Sequence, residues 1–339
     1  MKSRTSNLLV VLALFGFTVV GLSLKAQDDA AGEKEVQARG AVIIVSLEGA
    51  VGITNLRNGE ALPASKVVVG ASIPDGHAIK TGEGGKAVFL MSNGTVFTVS
   101  PKSEMLVAEF TQEPFAATDE KISDMETEPS ISKATLKLNY GTLVTDVKKL
   151  NPGSAFSIES PLGSAGVRGT TVSTQAIPDG NGGFSGSFGV TGGTVAYTPI
   201  NAPAGAQPTI VAENQKVEGT VSETGQTQIQ QPAPMAPAEV QQLNATAQES
   251  VAASAETSVA DVSTAAAETT QQVQAEVDNG APAEPAAPAP SDPALEPEQA
   301  PEPSPEDTTD TQPEAEAATE PENTIDPDSI DPNVLSPDN

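Results

Sequence analysis

The stretch KAVFLMSNGTVFTVS, residues 86–100, decides the fold class. Two short runs of β-branched and aromatic residues flank Asn93-Gly94, and an Asn-Gly pair supplies the positive φ angles that a type I′ hairpin turn needs. In the second run, Phe97-Thr98-Val99 alternates apolar with polar side chains, as expected for a sheet with one buried face. The stretch therefore predicts a β-hairpin.

Similar runs continue on both sides of this hairpin, at residues 41–47, 104–110, 134–139, 142–147 and 155–160. Turn-forming pairs such as Asn58-Gly59, Asp75-Gly76 and Asp179-Gly180 lie between strand-like segments. No window of this region carries a helical stripe of useful length. We predict an all-β domain of short antiparallel strands over residues 41–222, arranged as a sandwich or a solenoid-like winding. Residues 111–133, which are acidic and contain two prolines, are predicted to be a surface loop insertion.

The N-terminus resembles a secretory signal, predicted to span residues 1–26 with cleavage after Ala26. Lys2 and Arg4 precede an apolar run at residues 8–24, and an uncleaved membrane anchor is the alternative. The chain has no cysteine, so an exported form would have no disulfides. We therefore expect an exported protein in the periplasm or at the cell surface of a Gram-negative-type bacterium.

The charge is unevenly distributed along the chain. From residue 217 onward there are 25 Asp and Glu and no Lys or Arg, which leaves 20 acids against 17 bases in the first 216 residues. Neither part carries a basic stripe that could bind phosphates, so nucleic acid is excluded as a partner. Residues 280–339, acidic and rich in proline, predict a disordered tail. Residues 223–279 predict an Ala/Gln-rich linker that is either marginally helical or disordered.

The sequence offers few groups for catalysis. His77 is the single histidine, and it follows the Asp75-Gly76 turn, so we expect it to be exposed. No G-x-S-x-G nucleophile elbow occurs, and zinc sites normally need several His or Cys ligands. We predict no catalytic residue, no metal site and no cofactor.

The most specific stretch is SPLGSAGVRGTTVSTQ, residues 160–175, which resembles the signature of the FecR domain around VRGT. Residues 69–106 are similar to the first half of that family, and further similarity lies at Leu138, Gly141 and Leu143. A closing element at residues 210–217 has Asn214-Gln215 where the family usually has Gly-Gln. The similarity covers about residues 41–220.

The resemblance implies an extracytoplasmic domain, because the family is named after periplasmic regulators of iron uptake. Those regulators have a cytoplasmic anti-sigma segment before a membrane span, and only seven residues precede the apolar run here, so we expect a free-standing FecR-type protein. The predicted function is a non-catalytic binding or scaffold module for an envelope protein or glycan. It would contact a membrane only if the signal segment stays uncleaved. The alternatives are a membrane-anchored signalling subunit of a surface-sensing system and a structural surface component.

Arg168 of the VRGT motif is the one candidate binding residue. Its guanidinium could satisfy several carbonyls at once, which predicts a buried staple between backbone segments; the alternative is a ligand-binding arginine. Val167 and Val172 are expected to point inward, and Gly166 and Gly169 to allow a turn or a close backbone approach.

Overall fold

The structure is a computed structural model that describes residues 37–278. The predicted signal segment, residues 1–26, and the predicted acidic tail, residues 280–339, lie outside the described residues.

The described residues form eighteen strands followed by two helices. The strands are β1 Val42–Glu48, β2 Val51–Asn55, β3 Glu60–Ala61, β4 Ser72–Ile73, β5 His77–Thr81, β6 Lys86–Met91, β7 Val96–Val99, β8 Glu104–Gln112, β9 Ser132–Asp146, β10 Ala155–Ser160, β11 Gly163–Val167, β12 Thr171–Pro178, β13 Phe184–Thr191, β14 Thr194–Pro199, β15 Thr209–Ala212, β16 Gln215–Val221, β17 Thr227–Ile229 and β18 Ala233–Pro234. The helices are α1 Pro237–Ala253 and α2 Val259–Asp278.

Two sheets pack face to face. Sheet A has the order β3-β2-β5-β8-β9-β10-β11-β14-β15. Sheet B has the order β4-β1-β6-β7-β9-β12-β13-β16, with β17 and β18 both on β16. The strand pairs are antiparallel except for β9 with β10. The predicted all-β fold is confirmed, and of the two arrangements considered the structure is the sandwich.

Strand β9 belongs to both sheets. Its first half pairs with β8 and β10 in sheet A, and its second half pairs with β7 and β12 in sheet B. The change of sheet occurs at Gly141, which has a φ of +97°. A Cβ at this position would lie 2.1 Å from Ser103 Oγ, so only glycine fits. The runs at residues 134–139 and 142–147 are therefore one continuous strand.

The predicted hairpin at Asn93-Gly94 is confirmed, with Ala87 opposite Val99 and Leu90 opposite Val96. Its turn type differs from the prediction, because Gly94 is the one residue of the turn with a positive φ, +84°. The Gly94 N–H donates to Met91 O, the pattern of a type I turn closed by a left-handed glycine. The Asn93 side chain is buried. Its Oδ1 accepts a hydrogen bond from Thr95 N and its Nδ2 donates one to Ser132 Oγ, and these two bonds stabilise this turn type.

The core fills the space between the sheets. Phe89 stacks on Phe97 with ring centroids 5.0 Å apart in the N-terminal half. In the C-terminal half Phe188 lies 4.9 Å from Tyr197, whose hydroxyl donates to Leu162 O at 2.8 Å. Burial raises the pKa of Tyr197 to about 12, so this phenol stays a donor across the physiological range.

Of the two alternatives predicted for residues 223–279, the described part shows the helical one, and both helices pack on the β domain and do not form a separate linker. Helix α1 packs on sheet B, where Leu243 and Ala247 contact Val144. In α2, Val259 and Val262 pack against the outward side chains of sheet B, which include Leu90. The outer face of sheet B is apolar here and has to be buried, so tertiary packing stabilises helices whose own apolar stripe is weak.

Residues 111–133 are likewise more than a surface loop. Thr111 and Gln112 complete β8 and are buried, and Ile122 in a short 3₁₀ turn is only 1% exposed. Ile122 belongs to the same apolar cluster as Val259, whose N–H donates to Glu120 O at 2.8 Å. Residues 111–133 therefore contact the first turn of α2 and fix its position on the sandwich. Among residues 37–278 there is no helix that is both long and apolar enough to cross a membrane.

Candidate binding surface

The two sheets differ in what covers them. Helices α1 and α2 pack on the outer face of sheet B. The outer face of sheet A is open to solvent within residues 37–278, with exposed side chains such as Lys80, Lys137, Arg168 and Ile210. This uncovered face is the candidate binding surface.

The VRGT motif forms a crossover between the sheets. Val167 ends β11 in sheet A and Thr171 begins β12 in sheet B. At the turn Gly169 has a φ of +79°, and a Cβ there would lie 3.2 Å from Lys149 Cα. Val167 and Val172 are buried in the core, as expected. Gly166 shows no close approach, since its Cβ would meet only Ala196 O at 3.9 Å.

Arg168 is exposed, so the expectation of a buried staple is wrong. Because Val167 points inward, the next side chain along the strand points to solvent. Arg168 Nη2 donates one hydrogen bond to Asn151 O at 3.4 Å. The exposed Lys149 lies beside Gly169, the residue that follows Arg168, and within the described chain neither Arg168 nor Lys149 forms an ion pair. These two cations are available to an anionic group.

The buried carboxylate of Glu128 fixes the loop whose Asn151 carbonyl accepts the hydrogen bond from Arg168. Glu128 is 3% exposed, and its Oε1 accepts a hydrogen bond from Asn151 N at 2.7 Å. Its Oε2 accepts one from Ser132 Oγ at 2.6 Å. The Asn151 Nδ2 group also donates to Glu128 O at 3.1 Å. The Arg168 guanidinium is therefore hydrogen-bonded to a loop whose position is fixed by Glu128.

On sheet A, side chains of opposite charge pair across neighbouring strands. Lys80 on β5 pairs with Glu104 on β8 at 3.2 Å, and Lys133 on β9 pairs with Glu109 at 3.0 Å. Burial would raise the pKa of Glu104, but hydrogen bonds from Asn139, Lys80 and Tyr140 outweigh it and lower that pKa. The pKa of Lys80 is raised by its hydrogen bonds to Tyr140 and Glu104, so the Lys80–Glu104 pair stays charged at neutral pH.

A shallow depression of about 390 Å³ lies at one end of the face, beside the loop after β14. Lys137 and Glu159, opposite each other on β9 and β10, line it together with Ile200. Ile200 is 52% exposed, and Ile210 on the edge strand β15 is 58% exposed. Charged and apolar groups thus occur together at this end.

A second cluster lies at the other end of sheet A and was not predicted. Asp75 is 3% exposed and forms ion pairs with Arg39 at 2.7 Å and Arg57 at 2.9 Å. Arg57 also pairs with Glu276 of α2 at 3.2 Å. In the sequence Asp75 looked like a turn residue, and no local signal marked it as the partner of two arginines.

His77 is also buried, at 3% exposed, so the expectation of an exposed turn histidine is wrong. It is the first residue of β5 and has the inward orientation of Ile79 two positions later. The ring Nδ1 donates to Pro74 O at 3.1 Å. Burial lowers the pKa of His77, which favours the neutral imidazole.

The structure thus defines a two-sheet β-sandwich with a helical cover on one side and a crossover motif beside the open side. Residues 77–185 match the family model described as FecR protein, a stretch that runs from β5 into β13 and includes the VRGT crossover. The resemblance predicted from the sequence is confirmed over these residues.

Comparison with curated proteins finds no match. Two crystal structures described as a candidate anti-sigma factor from Parabacteroides distasonis are similar to the chain, at 13% identity with a TM-score of 0.31 and at 14% identity with a TM-score of 0.30. Each match covers 45% of this chain and 59% of the other, so the chain spans less than two thirds of these structures.

Proposed function

We propose that this chain is an exported, non-catalytic binding protein of the cell envelope, whose FecR-type domain docks a protein partner through the outer face of sheet A. The observation that carries the proposal is the asymmetry of the sandwich. The chain's own helices bury the outer face of sheet B, whereas sheet A leaves Ile200 and Ile210 more than half exposed.

The chemistry of the face favours a protein over a glycan. Exposed aliphatic side chains beside charged ones are typical of a protein interface with an apolar centre and a polar rim. Arg168 can bind a carboxylate through two parallel hydrogen bonds. Glycan sites usually stack sugar rings on aromatic side chains, and the depression beside Lys137 has no aromatic lining.

The non-catalytic part of the proposal is supported by the scarcity of reactive groups. The chain has one histidine and no cysteine, and that histidine is buried. In the part of the chain that the structure describes, no three His, Cys, Asp or Glu side chains gather where they could hold a metal. The envelope location is supported by the signal-like N-terminus and by the FecR match.

Co-purification of the full chain from chemically crosslinked envelope fractions tests the proposal. The double variant Ile200→Glu/Ile210→Glu should reduce the recovered partner about tenfold or more, because charges would enter the apolar part of the interface. Ile177→Glu is the matched control, since Ile177 is 47% exposed at a hairpin outside this face. Equal recovery with the double variant and the control would contradict docking through sheet A, as would a captured species that is a glycan.

A regulatory role is the second candidate, favoured by the FecR match over residues 77–185. In that role the segment at residues 8–24 would stay attached and anchor a signalling subunit in the membrane. N-terminal sequencing of the purified protein separates the two candidates. A mature chain that starts near Gln27 would remove the anchor.

A further inference from the structure

An open groove of about 470 Å³ lies at the edge of the sandwich, between the β2–β3 hairpin, the segment before β5 and the last turns of α2. Its size is within the range of ligand-binding pockets. Leu62, Ile73 and Val68 supply an apolar surface, and Val68 is 46% exposed. The polar lining comes from both walls and includes Glu60 and Glu276.

The lining of the groove has two carboxylates, Glu60 and Glu276, and one lysine. Helix α2 is described as far as Asp278, and its last described turn has acidic residues and no basic one. Arg57 is the cation that reaches Glu276, and it is shared with Asp75. On the opposite wall the exposed Glu60 side chain accepts a hydrogen bond from Asn58 at 3.0 Å and forms no ion pair within the part of the chain that the structure describes. Lys66 is the single basic side chain in the lining.

His77 is the second and independent feature of this groove. It lines the groove although the residue is only 3% exposed. Its Nδ1 is bonded to Pro74 O, which leaves Nε2 as the acceptor nitrogen of the neutral ring. Within residues 37–278 no hydrogen bond engages Nε2. Because His77 lines the groove, its Nε2 can accept a hydrogen bond from a group bound there.

We propose that this groove binds an extended peptide segment of a partner through a lysine or arginine side chain that follows an aliphatic residue. The apolar surface at Leu62 and Val68 suits the methylene stem, and Glu60 and Glu276 suit the charged end. The Nε2 of His77 accepts a hydrogen bond from the peptide. The site is separate from the outer face of sheet A, so either proposal can fail without the other.

The single histidine makes the test specific. We would record NMR spectra of the full chain, labelled with ¹³C and ¹⁵N, during titration with acetyl-Leu-Lys-Val-Lys-amide and with acetyl-Leu-Glu-Val-Glu-amide. The lysine peptide should shift the His77 ring signals and the backbone amides at residues 58–63 and 272–277, and the glutamate peptide should not. Monitoring these signals distinguishes the groove from binding of the basic peptide to the acidic residues beyond 278.

Glu60→Gln and Glu276→Gln should each weaken the affinity about fivefold, the effect of losing one partly exposed charge pair. Glu223→Gln is the control for total charge, because Glu223 lies in a distant exposed turn. The proposal is wrong if the lysine peptide leaves the His77 signals unmoved, if both peptides shift them equally, or if the three variants bind alike.

Discussion

Arg39 and Asp75 form a 2.7 Å ion pair in which the carboxylate is almost fully buried. Arg57 contacts the other oxygen of the same carboxylate at 2.9 Å. Because Arg39 N also donates to Thr270 of α2, at 2.9 Å, the cluster joins the first described residues, the β2–β3 hairpin and α2. This long-range cluster stabilises the edge of the sandwich beside the groove.

We predict that Asp75→Asn lowers the free energy of unfolding by about 2 kcal/mol or more, because two arginines lose their partner in a largely buried site. Urea unfolding of the full chain measures the change. Glu83→Gln is the control, since Glu83 pairs with Lys102 at 2.7 Å where both side chains are mostly exposed, and it should cost less than about 1 kcal/mol. Equal costs for the two variants would contradict a structural role for the cluster.

We predict that a chain ending at Ser222 is unstable, because removal of α1 and α2 uncovers the outer face of sheet B at residues such as Leu90 and Val144. The control is a chain ending at Asp278, which keeps both helices. Fluorescence of the hydrophobic dye ANS and the midpoint of urea unfolding compare the two. If the shorter chain bound no more dye and unfolded at the same urea concentration, the helices would not be part of the fold.

Two glycines in strands β9 and β11 should respond in opposite ways to alanine. Gly141→Ala should cost about 3 kcal/mol or more, because φ is +97° and the new Cβ would lie 2.1 Å from Ser103 Oγ. Gly166→Ala should be neutral or stabilise by up to about 1 kcal/mol, because its Cβ enters open space. Thermal or urea unfolding checks both. A tolerated Gly141→Ala would show that β9 does not change sheets at this point.

His77 should titrate below 6.5, because burial lowers its pKa in the folded chain. Between the folded and unfolded pKa values the unfolded state binds more protons, so stability rises with pH across that window and is complete above the unfolded value. NMR titration of the one imidazole measures the folded pKa directly. A value at or above 6.5 would contradict burial of the ring.

His77→Asn is the matched variant for the stability effect, because its amide can replace the Nδ1 donor to Pro74 O. The difference in unfolding free energy between about pH 5 and pH 7.5 should be smaller in this variant than in the parent chain. An unchanged difference would assign the pH dependence to other groups.

Local signals in the sequence predicted the parts of the fold that local geometry controls. The hairpin around Asn93-Gly94 and the inward direction of Val167 and Val172 depend on turn residues and on alternation within a strand. Asn214, which stands where the family of the resemblance usually has glycine, has a φ of +58°. Asparagine is among the residues that tolerate this conformation best.

Features that depend on distant residues were not predicted. Gly141 interrupts the apolar pattern, so the one strand β9 was predicted as two strands. No local signal shows that the first half of β9 pairs in sheet A and the second half in sheet B. The helical stripe of α2 is mostly Ala and Val, so its stability comes from the sheet beneath it. The burial of His77 and the exposure of Arg168 followed from strand register, which turn propensity does not give.

Site-specific photocrosslinking in cells tests the central claim most directly. A benzophenone amino acid would be placed at Ile210 on the open face of sheet A and, in a second chain, at Gln241 on the exposed side of α1. We predict a crosslinked protein adduct from position 210 and none from position 241. An adduct from position 241 alone would contradict docking through sheet A and would assign the interaction to the helical side.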